Sequence, residues 1–468
     1  MGSRMRFAGR CGIALLVMVT AAAAAQQGSW VVKPEWVRAH EDYLASDAMH
    51  GRGSATHDEE ITATYVASEF EAYGLKFAPG MTGYIQRGEV IAPELDGKAT
   101  VKCGSTVLSE GSDFDLLMSS TSNVSGPLVR VDVAQIKGTK IERGAVVLLA
   151  GANDPDQVFD SMSALRRAGA AAILVVETPG NAPVYGMMGS KTRTPIRLAE
   201  SEMRRGGSNV AIVHAAAAKQ LESLGAGSVV SLNVTVLPVK EPRYTYNAIG
   251  YLPGTDPKVG TILLSAHLDH VGIGRPVNGD AIYNGANDDA AGTTAVMELA
   301  HALGAGKQLK RSVLFICYGA EEAGELGSQY FGMHPVVPLK ELVTNLEFEM
   351  VGNQDPKMPK GVLLLTGWER SNLGPTLAKH GALLGADPYP EQHFFERSDN
   401  YQLALKGIVA HTAAGWGTVP TYHQPNDDLA HLDFAFMTAA IQSLVEPVRW
   451  LADSDFKPEW VAGGQPKP

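Results

Sequence analysis

The chain has 468 residues, 45% of them apolar and 19% charged, a balance that excludes a disordered or fibrous protein and fits two or three globular domains. Lys and Arg total 39 against 50 Asp and Glu, a net charge of −11, and no basic run is present. Nucleic acid is therefore excluded as an expected partner.

At the start, Arg4, Arg6 and Arg10 precede the apolar run Cys11 to Ala25, which ends in small residues. This is the pattern of a cleavable signal peptide over residues 1–25, and it predicts a periplasmic or secreted protein. The apolar run falls short of the roughly 20 residues that cross a bilayer, so no membrane span is expected. With Cys11 in the leader, only Cys103 and Cys317 remain. That is too few for a disulfide framework, and two buried free thiols are predicted.

Beyond the leader, short β-branched runs alternate with helical patterns, which predicts α/β architecture with a mixed sheet flanked by helices. Residues 26–91 and 241–455 read as parts of one domain. Residues 92–240 form an inserted, β-rich module of different texture, rich in Val, Thr and Ser and poor in aromatics. Inside it, a strand at Ala145–Ala150, a helix at Asp160–Ala168, a tight turn at Gly169 and a strand at Ala171–Glu177 are expected. In the second half, buried strands are predicted at Thr261–Ala266, Ser312–Tyr318 and Val362–Thr366. Val296, Leu299, Ala300 and Leu303 recur at helical spacing and place a helix over Thr293–Leu303. Residues 456–468 read as a tail, whose Gly- and Pro-rich end, Gly463–Pro468, is expected to fray.

Five clusters in the second half carry chemistry. His267-Leu268-Asp269-His270 follows a predicted strand, and if the chain stays extended there its two-residue period puts His267 and Asp269 on one side and His270 on the other. Asp269 is then placed to hold the second ring nitrogen of His267. Asn284 to Gly292 is a small-residue loop carrying Asp288 and Asp289 into a helix. Glu321-Glu322 stands at the carboxyl end of the Ser312–Tyr318 strand, where α/β sheets bind ligands. One carboxylate of that pair can hold a metal while its neighbour faces a water. Glu347 and Glu349 share a strand face, with Glu349 nearer the strand end. Tyr422-His423-Gln424-Pro425-Asn426-Asp427-Asp428 lies in a turn-rich loop. Each cluster alone is also compatible with ordinary solvated residues. Together they supply the nitrogen and oxygen donors of hard or borderline cations. Two Zn²⁺ bring a charge of +4, and one carboxylate from each of three acidic clusters nearly cancels it, which limits the cost of burial.

In this order, His267-Leu-Asp269, Gly285-Ala-Asn-Asp288, Glu321-Glu322, Glu349-Met-Val-Gly and Tyr422-His423-Gln-Pro-Asn-Asp resemble the M28 family of dizinc aminopeptidases. Asn247-Ala-Ile-Gly-Tyr-Leu-Pro-Gly resembles that family's entry into its catalytic sheet. The intervening module is similar to a protease-associated (PA) insert, through Gly144-Ala-Val-Val-Leu-Leu and Arg167-Ala-Gly-Ala-Ala-Ala-Ile. The resemblance implies a zinc-exopeptidase fold and two Zn²⁺ per chain, one held by His267, Asp288 and Glu349, the other by Asp288, Glu322 and His423. It further implies Glu321 as general base, Asp269 behind His267, and Tyr422 as a hydrogen-bond donor to the developing oxyanion. Many relatives carry Asp where this chain has Glu349. The expected reaction is removal of N-terminal residues from peptides with a free N-terminus. The rival readings are a glutamate-carboxypeptidase-like hydrolase, for which Arg370 or Arg397 would bind a substrate carboxylate, and a receptor-like protein that keeps the fold without the chemistry. His301, His334, His380, His393, His411 and His431 are read as structural or surface residues.

Overall fold

The computed structural model describes residues 30–138, 140–188, 194–201, 208–225, 227–237 and 241–467, and the expected leader lies outside them. Contacts divide the chain into Met1–Val31 and Val32–Pro468, and every described helix and strand belongs to the second unit.

Two large sheets organise that unit. The first has nine strands in the spatial order 384–386, 363–365, 410–414, 342–349, 261–267, 312–318, 243–252, 85–91 and 197–198. Its centre is parallel: Thr261–His267 pairs with Ser312–Tyr318 on one side and Leu342–Glu349 on the other, and the latter pairs with Ala410–Ala414. Arg243–Leu252 and Ile85–Ile91 extend it antiparallel. The central runs TILLSAH and SVLFICY are buried along their whole length, as parallel strands covered on both faces must be. One covering helix, Ala291–Gly304, packs against Pro34–Leu44 and the long Phe434–Asp453 helix, and almost every one of its residues is buried.

The second sheet has eight strands, drawn from residues 94–237, with Val124–Asp132, Val146–Ala150, Ala172–Val176 and Asn209–Val213 parallel at its centre. Separate apolar clusters cover its two faces. The expected β, α, β order appears as Val146–Ala150, the Pro155–Ala168 helix and Ala172–Val176. Gly169 closes that helix in the left-handed conformation that favours glycine, its N–H donating to the Arg166 carbonyl.

The module is not confined to its own sheet. Arg197–Leu198 leaves it to pair with Val90 and Ile91, forming the edge of the nine-stranded sheet. The end of the chain is also more ordered than its composition implies. Trp460 forms a bridge with Ser371 and donates through its indole N–H to the Gly407 carbonyl, and Val461 N donates to Arg370 O. Gly464 packs so closely on the Arg370 backbone that a side chain would collide there. Gly464, within the stretch expected to fray, is thereby seated. Both Cys103 and Cys317 are buried free thiols, as predicted.

Candidate metal centre

Sheet topology brings the five clusters to one place. The strands Thr261–His267, Ser312–Tyr318 and Leu342–Glu349 run parallel and side by side, so His267, Glu321-Glu322 and Glu349 emerge at neighbouring carboxyl ends. Asp288 lies in the turn that opens the Ala291–Gly304 helix, and His423 comes from the loop after Ala410–Ala414.

Two donor groups result, one of His267, Asp288 and Glu349 and the other of His270, Asp288, Glu322 and His423. Asp288 belongs to both, and its two oxygens face different partners. Oδ1 is 3.3 Å from His267 Nε2, and Oδ2 is 3.2 Å from His423 Nε2. Glu322 Oε1 is 2.7 Å from His423 Nε2 and 3.1 Å from His270 Nδ1. His267 Nε2 and Asp288 Oδ2 are buried without a hydrogen-bond partner among the described residues. Buried polar atoms ordinarily find partners, so atoms left facing one another at this spacing fit a cation of the nitrogen- and oxygen-preferring kind. Glu347, the alternative to Glu349, accepts from Asn400 N and from Thr412 Oγ1 at 3.2 Å and is absent from both groups.

Surrounding residues fix the donors. Asp427 accepts from the backbone N–H groups of Asn287 and Asp288, and Asp289 accepts from Gly292 and Met350. Thr293 Oγ1 donates to the His267 carbonyl. His267 Nδ1 sits 3.2 Å from the backbone carbonyl of Asp269 and 3.7 Å from its carboxylate. The expected contact with Asp269 is thus closest through the main chain. The carboxylate itself accepts from Ser54 Oγ and Glu321 N, tying the Asp269 loop to the acidic pair. Beneath both loops Arg52 is fully buried and donates to the carbonyls of Leu44, Leu268, Asn284 and Gly285.

Electrostatics separates the acidic pair. Burial holds Glu321 well above the usual carboxylate range; His267 opposes that rise and Glu322 adds to it. Burial acts on Glu322 too, but His423 and His270 outweigh it and hold this carboxylate well below its ordinary value. One member is thus suited to carry a proton and the other to remain an anion. Burial alone lowers His423, yet Glu322 and Asp288 raise it to about 9. For His270 burial wins, so its imidazole is held neutral against the pull of Glu322 and Asp288.

The centre opens into a cleft of about 780 Å³. Glu321, Glu322, Tyr422 and His423 line its floor, and Met118, Phe159, Met188 and Ile196 of the second module line it as well. The Tyr422 ring stacks on His423 at 3.9 Å. Of the two arginines weighed for carboxylate binding, Arg397 lines the cleft, whereas Arg370 lies over Phe395 and donates to Gly464 O.

Sequence reasoning missed four supporting residues. The two-residue period puts His270 on the opposite side only if the chain stays extended past the strand. The strand instead ends at His267, and His270 bridges to Gly53, its N–H donating to Arg52 O. Its place within the His-Leu-Asp-His run was the available signal. Asp289 and Asp427 are visible as neighbours of candidate residues, but Arg52 ends the short 3-10 helix Asp47–Arg52 with nothing in the sequence to mark it.

The shared-carboxylate donor set thus lies at the carboxyl edge of a mixed α/β sheet. Residues 247–446 match the model of peptidase family M28. Leupeptin-inactivating enzyme 1 of Streptomyces exfoliatus is 34% identical over 113 residues, 24% of each chain. The probable leucine aminopeptidase 2 of Aspergillus oryzae is 32% identical over 136 residues, 29% of this chain and 25% of its own. The match thus spans about a quarter of the length of these relatives. The probable lipoprotein aminopeptidase LpqL of Mycobacterium tuberculosis is 25% identical over 371 residues, 70% of this chain and 68% of its own. Among solved structures, an aminopeptidase from Aneurinibacillus sp. strain AM-1 superposes with a TM-score of 0.61 at 20% identity, covering 92% of this chain and 96% of that one. A zinc aminopeptidase of Bacillus subtilis does so at 0.60 and 19%, covering 93% and 98%. The mixed α/β sheet flanked by helices is the fold expected.

Proposed function

We propose that the protein is a zinc-dependent exopeptidase that removes N-terminal residues from peptides. The observation that carries this reading is the pair of donor groups joined through Asp288, with Glu321 beside them and the cleft above. His267, Asp288 and Glu349 would hold one Zn²⁺, and Asp288, Glu322 and His423 the other. When bound, the ions would lower the pKa of water from 15.7 toward 7 and polarise a peptide carbonyl. Glu321, held near protonation by its surroundings, would take the proton of the attacking water and return it to the leaving amine. Tyr422, at the cleft floor, would donate its hydroxyl to the oxyanion. Met118, Phe159, Met188 and Ile196 make part of the cleft wall apolar and favour an apolar side chain on the substrate.

The inserted module is proposed to be a PA-like domain that shapes this cleft. Export belongs to the same proposal: it rests on the leader pattern of residues 1–25, and among the described residues no helix is long and apolar enough to cross a membrane. The test is turnover of aminoacyl chromogenic substrates, with and without a chelator, beside the same peptides blocked at the N-terminus. Cleavage confined to free amines and abolished by chelation is expected. Preference for N-blocked peptides with an acidic C-terminus would transfer the reading to the carboxypeptidase class, with Arg397 as anchor.

A further inference from the structure

His270 completes a four-donor cage on one side of Asp288. Its Nδ1 lies 3.1 Å from Glu322 Oε1 and 3.7 Å from Asp288 Oδ2, while His423 Nε2 lies 2.7 Å from the same Glu322 oxygen and 3.2 Å from the same Asp288 oxygen. A tetrahedral ion with bonds of 2.0–2.2 Å spaces its donors about 3.3–3.6 Å apart, since the edge of a tetrahedron is about 1.63 times the centre-to-corner distance. The four separations bracket that range. Neither ring nitrogen of His270 has a hydrogen-bond partner among the described residues, although the ring is fully buried. A buried imidazole kept merely for packing would leave both nitrogens unsatisfied, at a cost an apolar ring would avoid.

The chain also makes room for this ring. Gly285 stands with φ +61, and a Cβ there would come within 2.5 Å of the His270 ring carbons. His270 N donates to Arg52 O, and the ring meets His423 edge-on at 5.4 Å. Backbone, glycine and neighbouring imidazole thus aim Nδ1 at the carboxylates.

We infer that His270 is a direct ligand of the cation held by Asp288, Glu322 and His423, so that the two metal positions are unequal, with four protein donors at one and three at the other. The inference rests on the two-metal reading proposed above. Four donors can close a tetrahedral shell, whereas three leave a position open. The position of His267, Asp288 and Glu349 is therefore the one that receives substrate oxygen, and the His270 position fills first and releases its ion last.

The test is zinc titration of the metal-free full-length protein by calorimetry, with the visible spectrum of the cobalt-loaded form as second readout. The wild type is expected to bind two ions with separable affinities. Losing an outer partner of a metal ligand already weakens binding 10–100-fold, so His270→Ala is expected to weaken the tighter step by about 100-fold or more. It is also expected to alter the cobalt bands of one ion only. His270→Phe keeps the ring volume and should behave alike, which separates coordination from packing. Two ions bound by both variants with wild-type affinities and unchanged cobalt spectra would overturn the inference while leaving the two-metal reading intact. A wild type that binds no zinc overturns both. A wild type that binds two ions, responds to His270→Ala as stated and cleaves no aminoacyl substrate overturns the proposed activity alone.

Discussion

Replacing Arg52 with Met tests how the centre is supported from below. The guanidinium donates to four main-chain carbonyls, Leu44 O at 2.6 Å, Asn284 O at 2.7 Å, Gly285 O at 2.8 Å and Leu268 O at 2.9 Å. Two of these belong to the loop before Asp288 and one to the turn between His267 and His270. Each bond from a charged donor contributes about 1.5–3 kcal/mol. Against their sum stands the desolvation of a buried cation, several kcal/mol, which burial expresses by lowering the Arg52 pKa while Glu41 and Asp427 oppose it. Removing one partner of such an arrangement costs about 3–5 kcal/mol, because the partners stay buried and unpaired. All six tryptophans lie outside residues 92–240, so their fluorescence follows unfolding of the half that carries the centre. With a guanidinium slope of about 6 kcal/mol/M, 4 kcal/mol moves the midpoint down by about 0.7 M. Zinc affinity should fall alongside, since both donor-bearing loops lose their common anchor. A midpoint within about 0.1 M of wild type, with zinc binding unchanged, would refute the argument.

Further outcomes are expected around the same centre. Glu321→Gln should retain zinc while turnover drops about 10²–10⁴-fold, and near-normal turnover on an aminoacyl substrate would remove Glu321 from its role as base. Asp269→Asn should weaken zinc binding 10–100-fold by loosening the His267 turn and the Glu321 amide, read by competition with a chromophoric chelator; equal affinity would count against it. Tyr422→Phe should lower kcat about 10²-fold with KM little changed, and a change confined to KM would place its hydroxyl on the ground state. In the metal-free protein, His423 is raised to about 9 against roughly 6.5 unfolded, so its contribution to stability is complete below pH 6.5 and lost as pH climbs through 9. Glu41, Glu59 and Glu347, pushed up to about 8 by burial, act in the same direction: each destabilises the fold once pH passes the carboxylate value of the unfolded chain, about 4.3. Thermal midpoints of the metal-free form should therefore decline toward pH 9 while zinc affinity rises; a flat profile in both would contradict the charge assignments.

Much of this was written in local pattern. The buried runs TILLSAH and SVLFICY announce parallel strands by their unbroken apolar character, and the acidic and imidazole clusters follow at their ends. Three-dimensional closure was not visible locally. Choosing Glu349 over Glu347 by its nearness to the strand end agrees with the donor groups. Two-residue periodicity does not reach His270, because the rule holds only while a strand continues and this one stops three residues earlier. Arg52 carries no pattern at all, since three of the four backbone oxygens it recognises come from segments more than 200 positions away. The C-terminal glycines and prolines read as disorder by composition, yet one of those glycines is what permits close approach to Arg370.

The two-residue pairing of Arg197 and Leu198 with the outer strand bears on any attempt to trim the molecule. Excising the eight-stranded module at its apparent borders would strip Val90 and Ile91 of this neighbour and leave their outward amide and carbonyl groups bare, a template for sticking to other copies. A minimal version of the chain would have to retain that short ribbon, or place charges along the uncovered strand, to stay monodisperse.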